Sequence, residues 1–202
     1  ADAVQRETLA VFERIGAEIN SKGRDAVFFN SYAADEEKRK EILEQMKARL
    51  TQPGQTGKLK VLMHSLAFGT LKPFITPSPA DAIAKSHLDM TLDVMANSLV
   101  YWTQDLVVHG LLGKGGRVFA MTSAGGARVW KTYGAVSAAK AALESHIRQL
   151  TLELAPLGIT ANAIMAGVTD TPALRKIPGS EQMIALAQKK NPAGRLTTTK
   201  DV

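Results

Sequence analysis

Three side chains in one short stretch have the types and the spacing to move a proton. The stretch reads Ser123-Ala-Gly-Gly-Ala-Arg-Val-Trp-Lys-Thr-Tyr133-Gly-Ala-Val-Ser-Ala-Ala-Lys140, with Tyr133 ten residues after the serine and seven before the lysine. A helix turns about 100° per residue, so seven steps return Lys140 to nearly the azimuth of Tyr133, about two turns further on. A free phenol titrates near pKa 10. An ammonium within roughly 4 Å, at an effective dielectric of about 20, favours the ionised form by about 4 kcal/mol, some three units. Such a tyrosine can donate a proton near neutral pH. Taken alone, the pair also reads as a surface tyrosine opening an alanine-rich helix that happens to carry a lysine. The rest of the chain decides between the two.

The elements that must position these residues alternate between helix and short apolar strand. Residues 8–20 have helical periodicity, and Lys22-Gly-Arg turns into a short strand at 25–30. A charged amphipathic helix over 36–50 ends before Gln52-Pro-Gly, and a strand follows at 58–65, whose Val61-Leu-Met run suits burial on both faces. A long helix spans 88–112, closed by Gly113 and the Gly115-Gly116 turn; a strand at 117–123, a helix at 133–154 and a strand at 159–165 complete the series. Alternation with connections this long predicts parallel pairing and right-handed crossovers. The expected fold is a single α/β domain over residues 1–202, a doubly wound, Rossmann-like parallel sheet in three layers. Ligands of such sheets bind beyond the carboxyl ends of the strands, where Asn30, His64-Ser65, Ser123 and Ala166-Gly167 fall.

Composition bounds the function from the other side. The 202 residues suffice for one substantial core, and 45% hydrophobic with 22% charged residues is ordinary for a globular protein. There is no cysteine, which excludes disulfides, thiolate metal sites and cysteine nucleophiles. No apolar run reaches the ~18 residues of a membrane span and no signal-peptide pattern opens the chain, so a cytoplasmic protein without a membrane anchor is expected. The net charge of +6 invites a nucleic-acid reading, but the basic residues are scattered among acids, as in Asp35-Glu-Glu-Lys-Arg-Lys-Glu41. Aromatics are 5%, and no stretch interleaves them with basic residues as a single-strand platform would, so no nucleic-acid partner is expected; the field suits an anionic cofactor or an acidic carrier. His64, His87, His109 and His146 show no metal-ligand spacing, and no Gly-x-Ser-x-Gly elbow surrounds Ser65.

These pieces, in this order, resemble the short-chain dehydrogenase/reductase superfamily, and within it the enoyl-acyl-carrier-protein reductases. The common Tyr-x3-Lys signature is broken by Val136, and Tyr133 with Lys140 instead forms the Tyr-x6-Lys of the enoyl reductases. Ser123 falls in the column of the catalytic serine. The segments His64-Ser-Leu-Ala-Phe-Gly69 and Ala166-Gly-Val-Thr-Asp-Thr171 resemble the enoyl reductase versions, and Asn97 takes the column of the superfamily's structural asparagine. The shifted tyrosine makes chemical sense: in a conjugate reduction charge develops on an oxygen two bonds beyond the carbon that receives hydride, and the donor must follow it.

The resemblance implies roles. Tyr133 would stabilise the enolate of an acyl thioester, Lys140 would hold the nicotinamide ribose, and Ser123 would assist. Ser65, Leu66, Ala67, Asn97, Met121, Gly167, Thr169 and Thr171 would form the cofactor site, with Asn30 beside the adenine. His64 would shape the backbone there, and residues 172–190 would form a mobile lid. The cofactor would be NADPH or NADH, NADPH being slightly favoured because Ser123 replaces a second tyrosine, as in the third type of enoyl reductase. The partners would be an acyl thioester and an acyl carrier protein, and the enzyme a homodimer or homotetramer paired through the two long helices. No Gly-x3-Gly-x-Gly occurs, and the first strands and last strand of the family are missing, so a longer protein is expected. Two alternatives stay open: another reductase of the superfamily acting on a small carbonyl, and a non-catalytic scaffold relative.

Overall fold

A computed structural model describes residues 2–55 and 57–202, with side chains from Leu9 onward; the opening of the chain at Ala1 lies outside the described residues. Three apolar runs become the parallel strands β1 (Leu59–His64), β2 (Leu112–Thr122) and β3 (Thr160–Met165), in the order β1-β2-β3. Their register aligns His64 with Ala120 and Ala120 with Ala163. Around them run α1 (Asp2–Ser21), α2 (Glu36–Leu50), α3 (Lys85–Leu92), α4 (Ser98–Val108), α5 (Gly134–Leu154), α6 (Pro172–Arg175) and α7 (Ser180–Lys190). The crossover from β1 to β2 carries α3 and α4, and that from β2 to β3 carries α5, as parallel pairing demands.

Local signals account for the helix ends. The Asp35 carboxylate accepts the Lys38 N–H (2.9 Å) at the start of α2, with Glu36 and Glu37 in its first turn and Lys47 and Arg49 in its last. That arrangement satisfies free amides and complements the helix dipole. After α5 the chain passes through Ala155–Leu157 and reverses at Gly158, whose φ of 68° only glycine adopts freely.

One face of α5 builds the core. Ala135, Val136, Ala139, Lys140, Leu143, Ile147, Leu150 and Leu154 recur at helical spacing and are all buried against the sheet. Leu143, Ile147, Leu150 and Leu154 form one cluster with Leu43, Leu99, Leu106, Val118 and Ala120. Fully burying a leucine contributes about 2 kcal/mol, so this stripe sets where α5 must lie. Lys140 belongs to the stripe and is carried inside with it.

The structure departs from the sequence expectations in four places. Residues 25–30 form no strand; they run as coil, with Phe28 stacked on Phe12 (5.0 Å between centroids). A strand exists only through its ladder, and among the described residues none lies beside this segment. In the Val61-Leu-Met run, Val61 is 48% and Met63 46% exposed, because among the described residues little covers their face of β1, while Leu62 on the other face packs against the core. The long helix opens at Lys85, contains a π-helical turn at Asp93–Asn97, and stops at Val108. β2 begins at Leu112, so Gly115-Gly116 lies within the strand, where the register slips between Leu59 and Val61.

Candidate active site

Lys140 is 5% exposed, and no carboxylate pairs with it among the described residues. Its ammonium donates to Met121 O (2.6 Å) at the end of β2 and to Leu66 O (3.2 Å) just beyond β1. Two carbonyls do not replace the hydration of a full charge. Burial therefore lowers its pKa from 10.5 to about 8. The third N–H has no acceptor among the described residues, so it can bind a hydroxyl brought by a ligand.

Tyr133 sits one residue outside α5, at its N-cap, with φ −89° and ψ 2°. The expected helical start at this residue thus begins at Gly134, though the side chain still faces the Lys140 side. Its ring rests on the small cluster of Met95, Val136 and Ala139. The Tyr133 Oη lies 3.5 Å from Ser123 Oγ, a long contact, while Ser123 Oγ accepts the Gly125 N–H at 3.0 Å. Gly125 matters for a second reason: a methyl there would run into the tyrosine ring. Immediately before the tyrosine, Thr132 takes φ 65°, the left-handed region that a β-branched residue enters only at a cost of about 1–3 kcal/mol.

Tyr133, Lys140 and Ser123 converge on a cavity of about 240 Å³. Ser65, Leu66, Ala67, Met121 and Thr122 line its strand-end side. Ala173, Leu174 and Ile177, from α6 and the turn after it, face the tyrosine from the other side. This apolar cover is tied to the Tyr133 segment at a distance: Trp130 Nε1 donates to Pro178 O (3.0 Å). Gly179, φ 79°, leaves room for the indole, since a Cβ there would approach its ring to 3.3 Å. The lining is mostly apolar, with a few polar groups among it (Ser65, Thr122, Ser123, Tyr133 and Lys140), the composition of a small-molecule site. A larger open depression of about 490 Å³ lies between Tyr32 and the Asp89–Asn97 region. It brings together no donor and buried cation, so the chemistry belongs to the smaller cavity.

The remaining sequence candidates are scattered. Thr171 caps α6, accepting the Leu174 N–H (3.1 Å), and Thr169 Oγ1 donates to Gly167 O (3.3 Å); these three follow β3 but do not line the cavity. Asn30 is exposed in the coil. Asn97 Oδ1 meets His146 Nε2 at 3.1 Å and borders the larger depression instead. The residue that the same turn presents to the cavity is Met95, two positions earlier, on the opposite face of the helix. No signal in the sequence singles out Met95, Leu71, Leu174, Ile177 or the Trp130–Pro178 bond. The apolar residues of 172–177 were visible within the expected lid, but no periodicity marks which of them turn inward.

The NADH-dependent enoyl-[acyl-carrier-protein] reductase of Aquifex aeolicus is 30% identical over 146 residues, covering 72% of this chain and 53% of the relative. The 1-cyclohexenylcarbonyl-CoA reductase of Streptomyces collinus is 33% identical over 112 residues, covering 52% of this chain and 39% of the relative. A crystal structure of the Aquifex aeolicus enzyme superposes with a TM-score of 0.67 at 26% identity, over 81% of this chain and 60% of that one. The chain thus spans about half the length of the curated relatives it matches, or less. Residues 4–202 match the family described as enoyl-(acyl carrier protein) reductase, and to that family, with its Rossmann-like fold, this chain belongs.

Proposed function

We propose that this protein reduces the 2,3 double bond of an enoyl thioester with hydride from NAD(P)H, as a step of fatty-acid synthesis. The observation that carries this reading is the convergence of the Tyr133 phenol, the Ser123 hydroxyl and the buried Lys140 ammonium on one small, apolar-covered cavity at the strand ends. Both relatives are named for thioester reductions, and a 1-cyclohexenylcarbonyl group is itself an α,β-unsaturated acyl group. The carrier is then an acyl carrier protein or coenzyme A.

The residues present fit the nicotinamide end of such a cofactor. Lys140 offers its free N–H to a ribose hydroxyl, and Ser65, Leu66, Ala67 and Met121 bring backbone close. Gly167, Thr169 and Thr171 follow β3 at the same end of the sheet and would border the cofactor there, with Asn30 beside the adenine and Asn97 as an outlying candidate. When bound, the nicotinamide supplies hydride to the β-carbon. Tyr133 donates a hydrogen bond to the thioester carbonyl oxygen, where negative charge gathers. Ser123 orients the phenol, and the nearby Lys140 charge favours the enolate. Ala173, Leu174 and Ile177 keep water from the reacting carbons, acting as a lid. The resemblance leans to NADPH, the name of the Aquifex relative to NADH.

Exposed Lys176 beside the cover, with Lys189 and Lys190 in the last turn of α7, gives an acidic carrier a positive landing. Val108 at the end of α4 (81% exposed) and Leu152 near the end of α5 (71%) support pairing into a homodimer or homotetramer. A cytoplasmic location suits this reading, since a pool of reduced nicotinamide is at hand there.

The test uses the full-length product. Loss of nicotinamide absorbance with a crotonyl thioester is followed for wild type and Tyr133→Phe, with NADH and NADPH in turn. Turnover that falls by roughly 10²-fold or more in the variant is expected. Tight cofactor binding without turnover would move the substrate to another class, and no cofactor binding would favour the scaffold reading.

A further inference from the structure

A second buried side chain at the strand ends has a fixed protonation state and a fixed task. His64, the last residue of β1, is 5% exposed, and its Nε2 lies 2.8 Å from Ser98 Oγ. Ser98 has one hydroxyl proton, and its 2.7 Å contact with Val94 O consumes it, since a carbonyl can only accept. The Ser98 oxygen must therefore accept from the imidazole, which makes His64 the Nε2-protonated tautomer. Nδ1 is then a bare lone pair, buried and without a partner among the described residues.

The partner of this imidazole is a break in a helix. In a regular α-helix the Ser98 amide would bond Val94 O; in the π-turn it reaches Asp93 O and Ala96 O instead. The Ser98 hydroxyl supplies the bond to Val94 O that its amide no longer makes. The same turn carries Met95 into the cavity beside Tyr133, and Leu66, two residues after His64, supplies one of the carbonyls that hold Lys140.

We propose that His64 is a positioning residue, a permanently neutral imidazole that pins the end of β1 to the π-turn through Ser98 and so places both the Leu66 carbonyl on Lys140 and Met95 against Tyr133. A proton on Nδ1 would put a cation in a closed space already occupied by the Lys140 charge. Burial and that charge lower the imidazole pKa from 6.5 to about 4. The kinetic consequences rest on the proposed roles of Lys140 and Tyr133; the tautomer and the anchoring do not.

The first experiment needs no activity. Full-length protein labelled with 15N-histidine is followed by long-range proton–nitrogen correlation between pH 8 and 5, with the His64 signal assigned by its loss in His64→Gln. A neutral, Nε2-protonated pattern at every pH is expected. An Nδ1-protonated pattern, or titration within that range, overturns the proposal. The second compares His64→Leu, which removes the donor, with His64→Gln, whose amide nitrogen can take the place of Nε2. In the leucine variant the cofactor dissociation constant is expected to rise roughly tenfold, the loss of about one hydrogen-bonded anchor, and the alkaline midpoint of turnover to move; glutamine recovers most of both. A folded leucine variant with unchanged affinity and pH profile overturns the proposal. Should it not fold, Ser98→Ala carries the same comparison. If wild type binds no nicotinamide cofactor, the proposed function fails while the tautomer result still decides this inference.

Discussion

Lys140 and Tyr133 lie seven residues apart and line one cavity, yet they are held in opposite ways. The lysine is locked in the apolar stripe of α5 with two carbonyls on its ammonium. The tyrosine stands outside the helix, after a strained threonine, with one long contact to a serine and an apolar cover tied on through Trp130. The cation is a feature of the core, and the phenol a feature of a loop and its apolar cover. A charge fixed in the core, beside a donor held by a loop and an apolar cover, suits the proposed reaction, whose acyl chain would have to enter without disturbing the cation.

Lys140→Met sharpens the contrast most. It removes a buried, carboxylate-free charge, so the thermal midpoint should hold or rise, by up to about 1–3 kcal/mol in stability. Turnover should nevertheless fall roughly 10³-fold, the scale of losing one preorganised electrostatic group. A variant that loses stability in melting experiments would show that the ammonium ties the strand ends together. pH separates the same two quantities in the wild type. Because the folded pKa of Lys140 is lowered to about 8, from 10.5, the unfolded chain holds the proton at higher pH than the native one does. Stability of the cofactor-free protein should therefore rise between pH 8 and 10.5, by about 3 kcal/mol for this group, while turnover falls through a midpoint near 8. Parallel decline of both would contradict it.

Effects at the tyrosine end should be kinetic and smaller. Gly125→Ala pushes the ring from its place, since the added methyl collides with it; turnover should drop roughly tenfold, about 1.4 kcal/mol. Trp130→Phe keeps an aromatic ring but deletes the hydrogen bond to Pro178 O. The expected cost is at most about 1 kcal/mol, read as a few-fold rise in the KM for the acyl thioester with little change in kcat. A larger effect on kcat would mean that the cover positions the phenol as well as enclosing it.

Legibility followed the same divide. α2 was readable to the residue from Asp35 and its charge pattern, and the core face of α5 from its apolar spacing. Lys140 falls within that spacing, yet its distance from Tyr133 told only that the two share a face; its burial came with the packing of the helix. Residues 25–30 misled because an apolar, β-prone run states only that a strand would be stable if paired. Val61 and Met63 misled for a related reason: a continuous apolar run records what a chain can bury, not which neighbours lie on each side. Asn97 illustrates a third limit. A π-turn shifts the helical phase, and with it which of Met95 and Asn97 meets the cavity.

The amino-acid sequence by itself determined the alternation of strand and helix, the Ser123, Tyr133 and Lys140 spacing and the inward face of α5. Each of these depends on residues near in the chain, where periodicity and local geometry act. Tertiary structure alone decided that Lys140 meets the carbonyls of Leu66 and Met121, that His64 bonds Ser98, and that Trp130 reaches Pro178. Those contacts join residues 19 to 74 positions apart, and none has a local signature. They form because a packed sheet brings distant strand ends within hydrogen-bonding distance, where a buried polar group must find whatever partner the fold supplies.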